Sequence, residues 1–191
     1  MNRVKVAFLD RDGTINKEID HLYKIEDFEF ISGVPEALVL LKKLGFKIFI
    51  VSNQAGIAKG LYSEKDVMNL HKYIISLCRD FGVEIDGIYY CPHHPEGSIS
   101  EYSKECFCRK PHTGMIDNIV LDLKTDGYII DFVNSFIAGD TEKDMLTGLN
   151  AGIGTKVLLR CGHSIDEFNT CADFVEDNLL TYVSKLLKGT I

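Results

Sequence analysis

Two carboxylates, Asp10 and Asp12, stand two residues apart in the run Asp10-Arg-Asp-Gly-Thr14. They follow a short apolar stretch, Val4–Leu9, that reads as a buried strand. Where a strand gives way to a turn, residues i and i+2 can aim both carboxyl groups at one point, and Gly13 permits the tight backbone. Such a pair suits phosphoryl transfer. Phosphate monoester hydrolysis is so slow uncatalysed that enzymes accelerate it by up to about 10²¹-fold. One carboxylate can attack phosphorus and carry the phosphoryl group as an aspartyl phosphate. The other can protonate the leaving alcohol and then activate water. An isolated Asp-x-Asp is more simply a carboxylate-rich turn, so the reading depends on partners.

Partners are present. Ser52-Asn53-Gln54 ends a second apolar run, Lys47–Ser52, and offers a hydroxyl and two amides to a phosphoryl group. Lys110, in Arg109-Lys110-Pro111, supplies a fixed positive charge. Gly139-Asp140-Thr-Glu-Lys-Asp144 brings two further carboxylates. Asp10, Asp140 and the Asp12 carbonyl make an oxygen-rich set suited to the hard cation Mg²⁺. Asp144, one helical turn on, is placed to orient Lys110 rather than to bind metal.

A second constellation is made of softer donors. Cys91-Pro-His93-His94-Pro is followed by Cys106-Phe-Cys108. Cys91, His93, Cys106 and Cys108 form a Cys₃His set suited to a closed, structural Zn²⁺ site. His93 is preferred to His94 because it repeats the x-spacing of the second hook. The plainer alternative is a group of free cysteines beside a surface histidine. Cys78 falls on the apolar face of a helix and reads as core, while Cys161 and Cys171 have no partner pattern.

These residues need elements to position them. Helix-period segments alternate with apolar runs: Gly33 opens a helix that Gly45 stops, and Ser63 caps a longer one with Val67, Leu70, Ile74, Ile75 and Cys78 on one face. Ile85–Tyr90 predicts a third strand, Thr113 to about Leu123 a helix, Ser135–Gly139 a fourth strand and Glu142–Asn150 a helix. Gly154–Leu159 and Ala172–Val175 predict the fifth and sixth strands, and Asn178–Leu187 the last helix. This alternation predicts an α/β protein with a Rossmann-like parallel sheet and helices on both faces. Ligands of such sheets bind outside the carboxyl ends of the strands, so Asp10, Ser52, Asn53 and Asp140 should converge. The stretch 91–111 has neither period and predicts a loop, with the zinc hooks over about 91–108.

The 191 residues are expected to form a single domain, 1–191. The net charge of −7 argues against coating nucleic acid, which needs a basic face. Val4–Leu9 is too short for a secretory core or a membrane span, so a cytoplasmic protein with reduced cysteines is expected.

The runs DRDGT, VSN, RKP and GDTEKD resemble, in order and context, the motifs of the haloacid-dehalogenase-like phosphatases. The resemblance covers nearly the whole chain. It implies Asp10 as nucleophile, Asp12 as general acid/base, Ser52 and Lys110 as phosphoryl stabilisers and Asp140 as a Mg²⁺ ligand. Thr14, Asn53 and Gln54 would join the substrate-binding set. Tyr89-Tyr-Cys-Pro-His-His-Pro with the second hook resembles the D-glycero-D-manno-heptose 1,7-bisphosphate 7-phosphatases, and the related histidinol-phosphate phosphatases share that scaffold. The first branch implies a sugar bisphosphate of nucleotide-activated heptose synthesis (lipopolysaccharide, capsule or S-layer), with Arg109 on the distal phosphate; the second implies histidine biosynthesis. The sequence departs from the heptose branch at Thr141, where a lysine is common, and over residues 17–24. No segment is long enough for a large cap domain, so loops 17–24 and 91–111 should build the pocket. A monomer acting on a small phosphorylated sugar, without nucleic acid or membrane, is the expectation. An inactive zinc-stabilised binding module is the reading outside enzymology, and the filled catalytic positions speak against it.

Overall fold

The computed structural model describes residues 1–191. Its framework is one seven-stranded sheet. In chain order the elements are β1 (Asn2–Leu9), α1 (Val34–Lys43), β2 (Phe46–Asn53), α2 (Ala55–Ala58), α3 (Glu64–Asp80) and β3 (Gly87–Cys91). Then come α4 (Gly114–Thr125), β4 (Tyr128–Ile130), β5 (Phe136–Gly139), α5 (Glu142–Asn150), β6 (Thr155–Leu159), β7 (Phe174–Glu176) and α6 (Leu179–Lys188). The strand order is β3-β2-β1-β5-β6-β7, with every pairing parallel.

Alternation along the central strands sorts the core. Ala7 and Leu9 of β1 join Ile48 and Ile50 of β2 in the larger cluster, beneath α1, α3 and α6. Val6 and Phe8 join Phe49, Val51 and Ile137 on the other face, against α4. A strand covered on both faces reads as a continuous apolar run, which is how β1 and β2 look in the sequence. Each large aliphatic side chain so buried contributes roughly 1.5–3 kcal/mol.

The architecture agrees with the expected parallel α/β sheet. Two elements escaped the sequence. β4 is three residues long and pairs with Asn2–Val4, below the point where β5 pairs with Ala7–Leu9. α2 is four residues long and follows Gln54 directly. A boundary also moves: β3 begins at Gly87 rather than Ile85. The Asp86 carboxylate accepts the Ile48 N–H (2.8 Å), bonds Lys47 Nζ (2.9 Å) and also meets Lys42, so a side chain takes the place of a ladder carbonyl there. No helix is long and apolar enough to cross a membrane.

Sheet order reverses beside β1. Its neighbours β2 and β5 lead their connections to opposite faces, and the carboxyl ends of the three strands leave a crevice between them.

Candidate active site

That crevice is a cleft of about 430 Å³ lined by Asp10, Asp12, Ser52, Asn53, Gln54, Arg109, Lys110 and Asp140. Segment 18–22 closes one side; His94, Lys59 and Lys143 stand on its wall. The four strand-end residues therefore converge as expected, and no large cap covers them.

Asp10 is held by its own backbone, whose N–H donates to the Ala138 carbonyl (2.9 Å). Its Oδ1 accepts the Arg11 N–H (2.7 Å) and pairs with Lys110 Nζ at 2.9 Å. Burial pushes the Asp10 carboxyl well above the usual carboxylate range; Lys110 opposes this, and Asp144, Asp140 and Asp12 add to it. Lys110 is 3% exposed and donates also to the Val51 carbonyl (3.0 Å) and to Asp144 Oδ1. Burial alone would depress its ammonium, but Asp10 and Asp144 outweigh that and carry it above its ordinary value. Asp144 is fully buried, and its Oδ2 accepts from the Thr141 N–H (3.2 Å) and hydroxyl (2.6 Å). With both oxygens engaged, Asp144 orients Lys110.

Asp12 lies in a separate cage. Arg11 Nε donates to its Oδ1 (3.1 Å) and Nη2 meets its Oδ2 (2.8 Å), while Asn16 Nδ2 (3.0 Å) and Gln54 Nε2 (3.1 Å) complete the set. Arg11 is itself completely buried, with Nη2 donating to the Leu22 carbonyl (2.9 Å) and Nη1 3.3 Å from His71 Nε2. A guanidinium can only donate, so His71 Nε2 is the acceptor and the imidazole is neutral. Burial, then the Arg11 charge, pull His71 down to about 3.

Gln54 and Thr14, both expected in the substrate-binding set, have surroundings that the sequence does not display. Gln54 donates from Nε2 to Asp12 and to Ser52 Oγ (2.8 Å) and accepts from the Tyr62 hydroxyl (2.8 Å), so its amide is spent inside the protein. Thr14 is wholly buried, its hydroxyl has no partner, and it does not line the cleft. Asn53 clamps the backbone of Lys110 from both sides, accepting its N–H (3.0 Å) and donating to its carbonyl (3.2 Å). It thereby ties the cysteine loop to β2.

An oxygen-rich cation site fits the residues present. Asp140 Oδ1 is buried without a partner, and donor oxygens of Asp10, Asp140 and Asp144 lie within 4.8 Å of one another. Gly13 (φ +71°) leaves room there: a Cβ on it would stand 2.2 Å from Asp140 Oδ2. In the loop, Cys91, His93, Cys106 and Cys108 place their ligand atoms within 4.8 Å of one another. The sulfurs are 2.8 and 3.0 Å apart, beyond the about 2.05 Å of a disulfide. The hydrogen bond between Cys108 and Cys91 lowers the Cys91 thiol and raises that of Cys108, and three sulfurs with one imidazole nitrogen suit a soft cation. His94 instead faces the cleft.

Several site residues were not read from the sequence. Arg11 bonds Asp12 and is backed by His71, and His163 Nδ1 bonds Asp140. Burial, and then the Asp12 charge, push the Glu18 carboxyl up to about 7. His71 carried a signal, a polar residue inside the apolar stripe of α3. His163 follows β6 and belongs to the same strand-end rule that selected Asp140.

A parallel sheet with two clustered aspartates after β1, a lysine from the loop and an aspartate after β5 define a haloacid-dehalogenase-like phosphatase, a hydrolase of phosphate monoesters. The family model described as polynucleotide kinase 3 phosphatase matches residues 5–157, and the chain belongs to that family. The chain is 44% identical over 178 residues to D-glycero-beta-D-manno-heptose-1,7-bisphosphate 7-phosphatase of Escherichia coli K12, covering 92% of this chain and 90% of the relative. It is 43% identical to the alpha-anomer enzyme, D-glycero-alpha-D-manno-heptose-1,7-bisphosphate 7-phosphatase of Photorhabdus laumondii, covering 98% of each. The crystal structure of D,D-heptose 1,7-bisphosphate phosphatase from B. bronchiseptica, complexed with magnesium and phosphate, shares the fold at a TM-score of 0.78 and 24% identity, covering 99% of each chain.

Proposed function

We propose that this chain removes the 7-phosphate of D-glycero-D-manno-heptose 1,7-bisphosphate, in the synthesis of nucleotide-activated heptose. The observation that carries the reading is a set of basic side chains, three of them cationic, with no carboxylate of their own. Lys59, His94, Arg109 and Lys143 line one wall of the cleft, and none of them forms an ion pair in the protein. They are close enough that, after burial, the charges of Arg109, Lys59 and Lys143 depress the His94 imidazole. A second phosphate on the substrate would relieve that repulsion. Histidinol phosphate offers one phosphate and a cationic amine, which the same wall repels.

Asp10 attacks phosphorus, and Lys110 beside it meets the charge on the phosphoryl oxygens together with Ser52. Asp12, held by Arg11, Asn16 and Gln54, gives its proton to the leaving sugar oxygen and takes one from the water that cleaves the aspartyl phosphate. Asp10, Asp140 and the Asp12 carbonyl would hold Mg²⁺, and the bound ion supplies positive charge against the transferring phosphoryl group. Cys91, His93, Cys106 and Cys108 would hold Zn²⁺, which supplies a cross-link within the loop that carries Arg109 and Lys110. Six free cysteines suit a reducing, cytoplasmic setting.

The test is phosphate release from both anomers of the heptose bisphosphate and from histidinol phosphate, with the remaining sugar monophosphate identified. The bisphosphate should be turned over with the higher kcat/KM and leave the 1-phosphate. Arg109→Ala should raise its KM by about 10- to 100-fold, the worth of one charge-assisted hydrogen bond. Equal or better turnover of histidinol phosphate would overturn the assignment.

A further inference from the structure

His163 lines the cleft and takes no part in the chemistry proposed above. It follows β6, and its side chain is 57% exposed, yet it makes two hydrogen bonds to a carboxylate that is 1% exposed. Its backbone N–H donates to Asp140 Oδ2 at 2.8 Å, and Nδ1 stands 2.7 Å from the same oxygen. A carboxylate oxygen only accepts, so Nδ1 carries the proton. The other oxygen, Oδ1, is buried without a partner. The two oxygens of Asp140 are therefore divided: one is fixed to the protein, the other kept for a ligand.

The backbone is shaped to allow this. Gly162 lies directly against Asp140, where a Cβ would stand 1.9 Å from Oδ2 and 2.5 Å from Cγ. Gly13 approaches the same oxygen beside it, where a Cβ would stand 2.2 Å from Oδ2. No other residue type fits at position 162 without moving the carboxylate. Glu18 completes the surroundings: its carboxylate, a His163 nitrogen and an Asp140 oxygen lie within 4.8 Å of one another.

We propose that His163, seated by Gly162, is a positioning residue for Asp140 that fixes Oδ2 and thereby presents Oδ1 to Mg²⁺. The inference rests on the proposed magnesium site and is independent of which sugar is the substrate. A partner that orients a metal ligand typically changes metal affinity by about 10- to 100-fold when it is removed.

The test is direct Mg²⁺ binding by calorimetry on the zinc-loaded protein, alongside the Mg²⁺ dependence of turnover. His163→Ala should weaken Mg²⁺ binding by about 10-fold or more, with a smaller change in kcat at saturating Mg²⁺. His163→Asn keeps a side-chain N–H donor and should recover most of that affinity. Gly162→Ala retains the imidazole but displaces Asp140, and should weaken binding as His163→Ala does. Circular dichroism and the thermal midpoint report whether each variant is folded. His163→Ala binding Mg²⁺ within twofold of the parent would overturn the proposal, as would a loss confined to kcat at saturating Mg²⁺. Asp140→Asn with unaltered binding would instead remove the magnesium site on which it rests.

Discussion

Lys110 and Asp144 make a pair whose worth can be isolated. Both are almost completely buried, and Lys110 spans from Asp144 to Asp10 (2.9 Å). Removing one partner of a buried pair leaves an uncompensated charge and costs about 3–5 kcal/mol. Asp144→Asn keeps the shape and an acceptor for Thr141, so its cost should fall near the lower figure; Lys110→Met strands two carboxylates and should cost about 4 kcal/mol. Total stability of roughly 5–15 kcal/mol leaves both variants folded. With a urea slope near 2 kcal/mol/M, each midpoint should drop by about 1.5–2 M. The double variant removes the pair together, and its cost should be below the sum of the singles by about 2 kcal/mol. The assay is urea unfolding of the four proteins without added Mg²⁺, followed by tryptophan-free far-ultraviolet dichroism. A coupling under about 0.5 kcal/mol would show that Asp144 does not hold Lys110, and the ordering of the site argued above would be wrong.

His71 predicts an acid-side loss of stability. Its folded-state pKa of about 3 lies below the ordinary 6.5 of an unfolded histidine, so the unfolded chain takes up a proton that the folded chain refuses. Its contribution is complete above pH 6.5 and is lost as pH falls toward 3, at about 1.4 kcal/mol per pH unit. Urea unfolding between pH 6 and 4 should therefore show a shallower slope for His71→Gln than for the parent; equal slopes would contradict it. Metal analysis should find one tightly held zinc per chain, unaffected by mild Mg²⁺ chelation. Cys108→Ala should lose the zinc and, by loosening the loop that carries Lys110, most of the turnover, whereas Cys171→Ala should change neither. A zinc-free, fully folded and fully active protein would refute the role of the loop.

Much of this was legible before the structure. α5 runs over the residues expected, because its Thr141 cap and Asp144 form a local capping box that sequence alone displays. β1 and β2 were plain as apolar runs buried on both faces. β4 was not, since three residues carry no period and its Ile129 is exposed; only pairing to Asn2–Val4 makes it a strand. The same division holds in the site. Asp10, Ser52, Asn53, Lys110 and Asp140 could be chosen because strand ends and residue types point to them. What each side chain bonds could not. Gln54 looks like a free amide until Tyr62, Ser52 and Asp12 consume it. Arg11 looks like a surface arginine between two acids, yet it is fully buried and cages one of them.

The central claim is that Asp10 attacks phosphorus while Asp12 moves protons. Its most direct test is mass spectrometry of acid-quenched enzyme during turnover of the heptose bisphosphate. With Asp12→Ala slowing hydrolysis of the intermediate, one phosphoryl group should accumulate on the peptide containing Asp10. Asp10→Asn should carry none and release no phosphate, with its fold and zinc content intact. Wild-type turnover by Asp10→Asn, or a phosphoryl group found on another residue, would contradict the account.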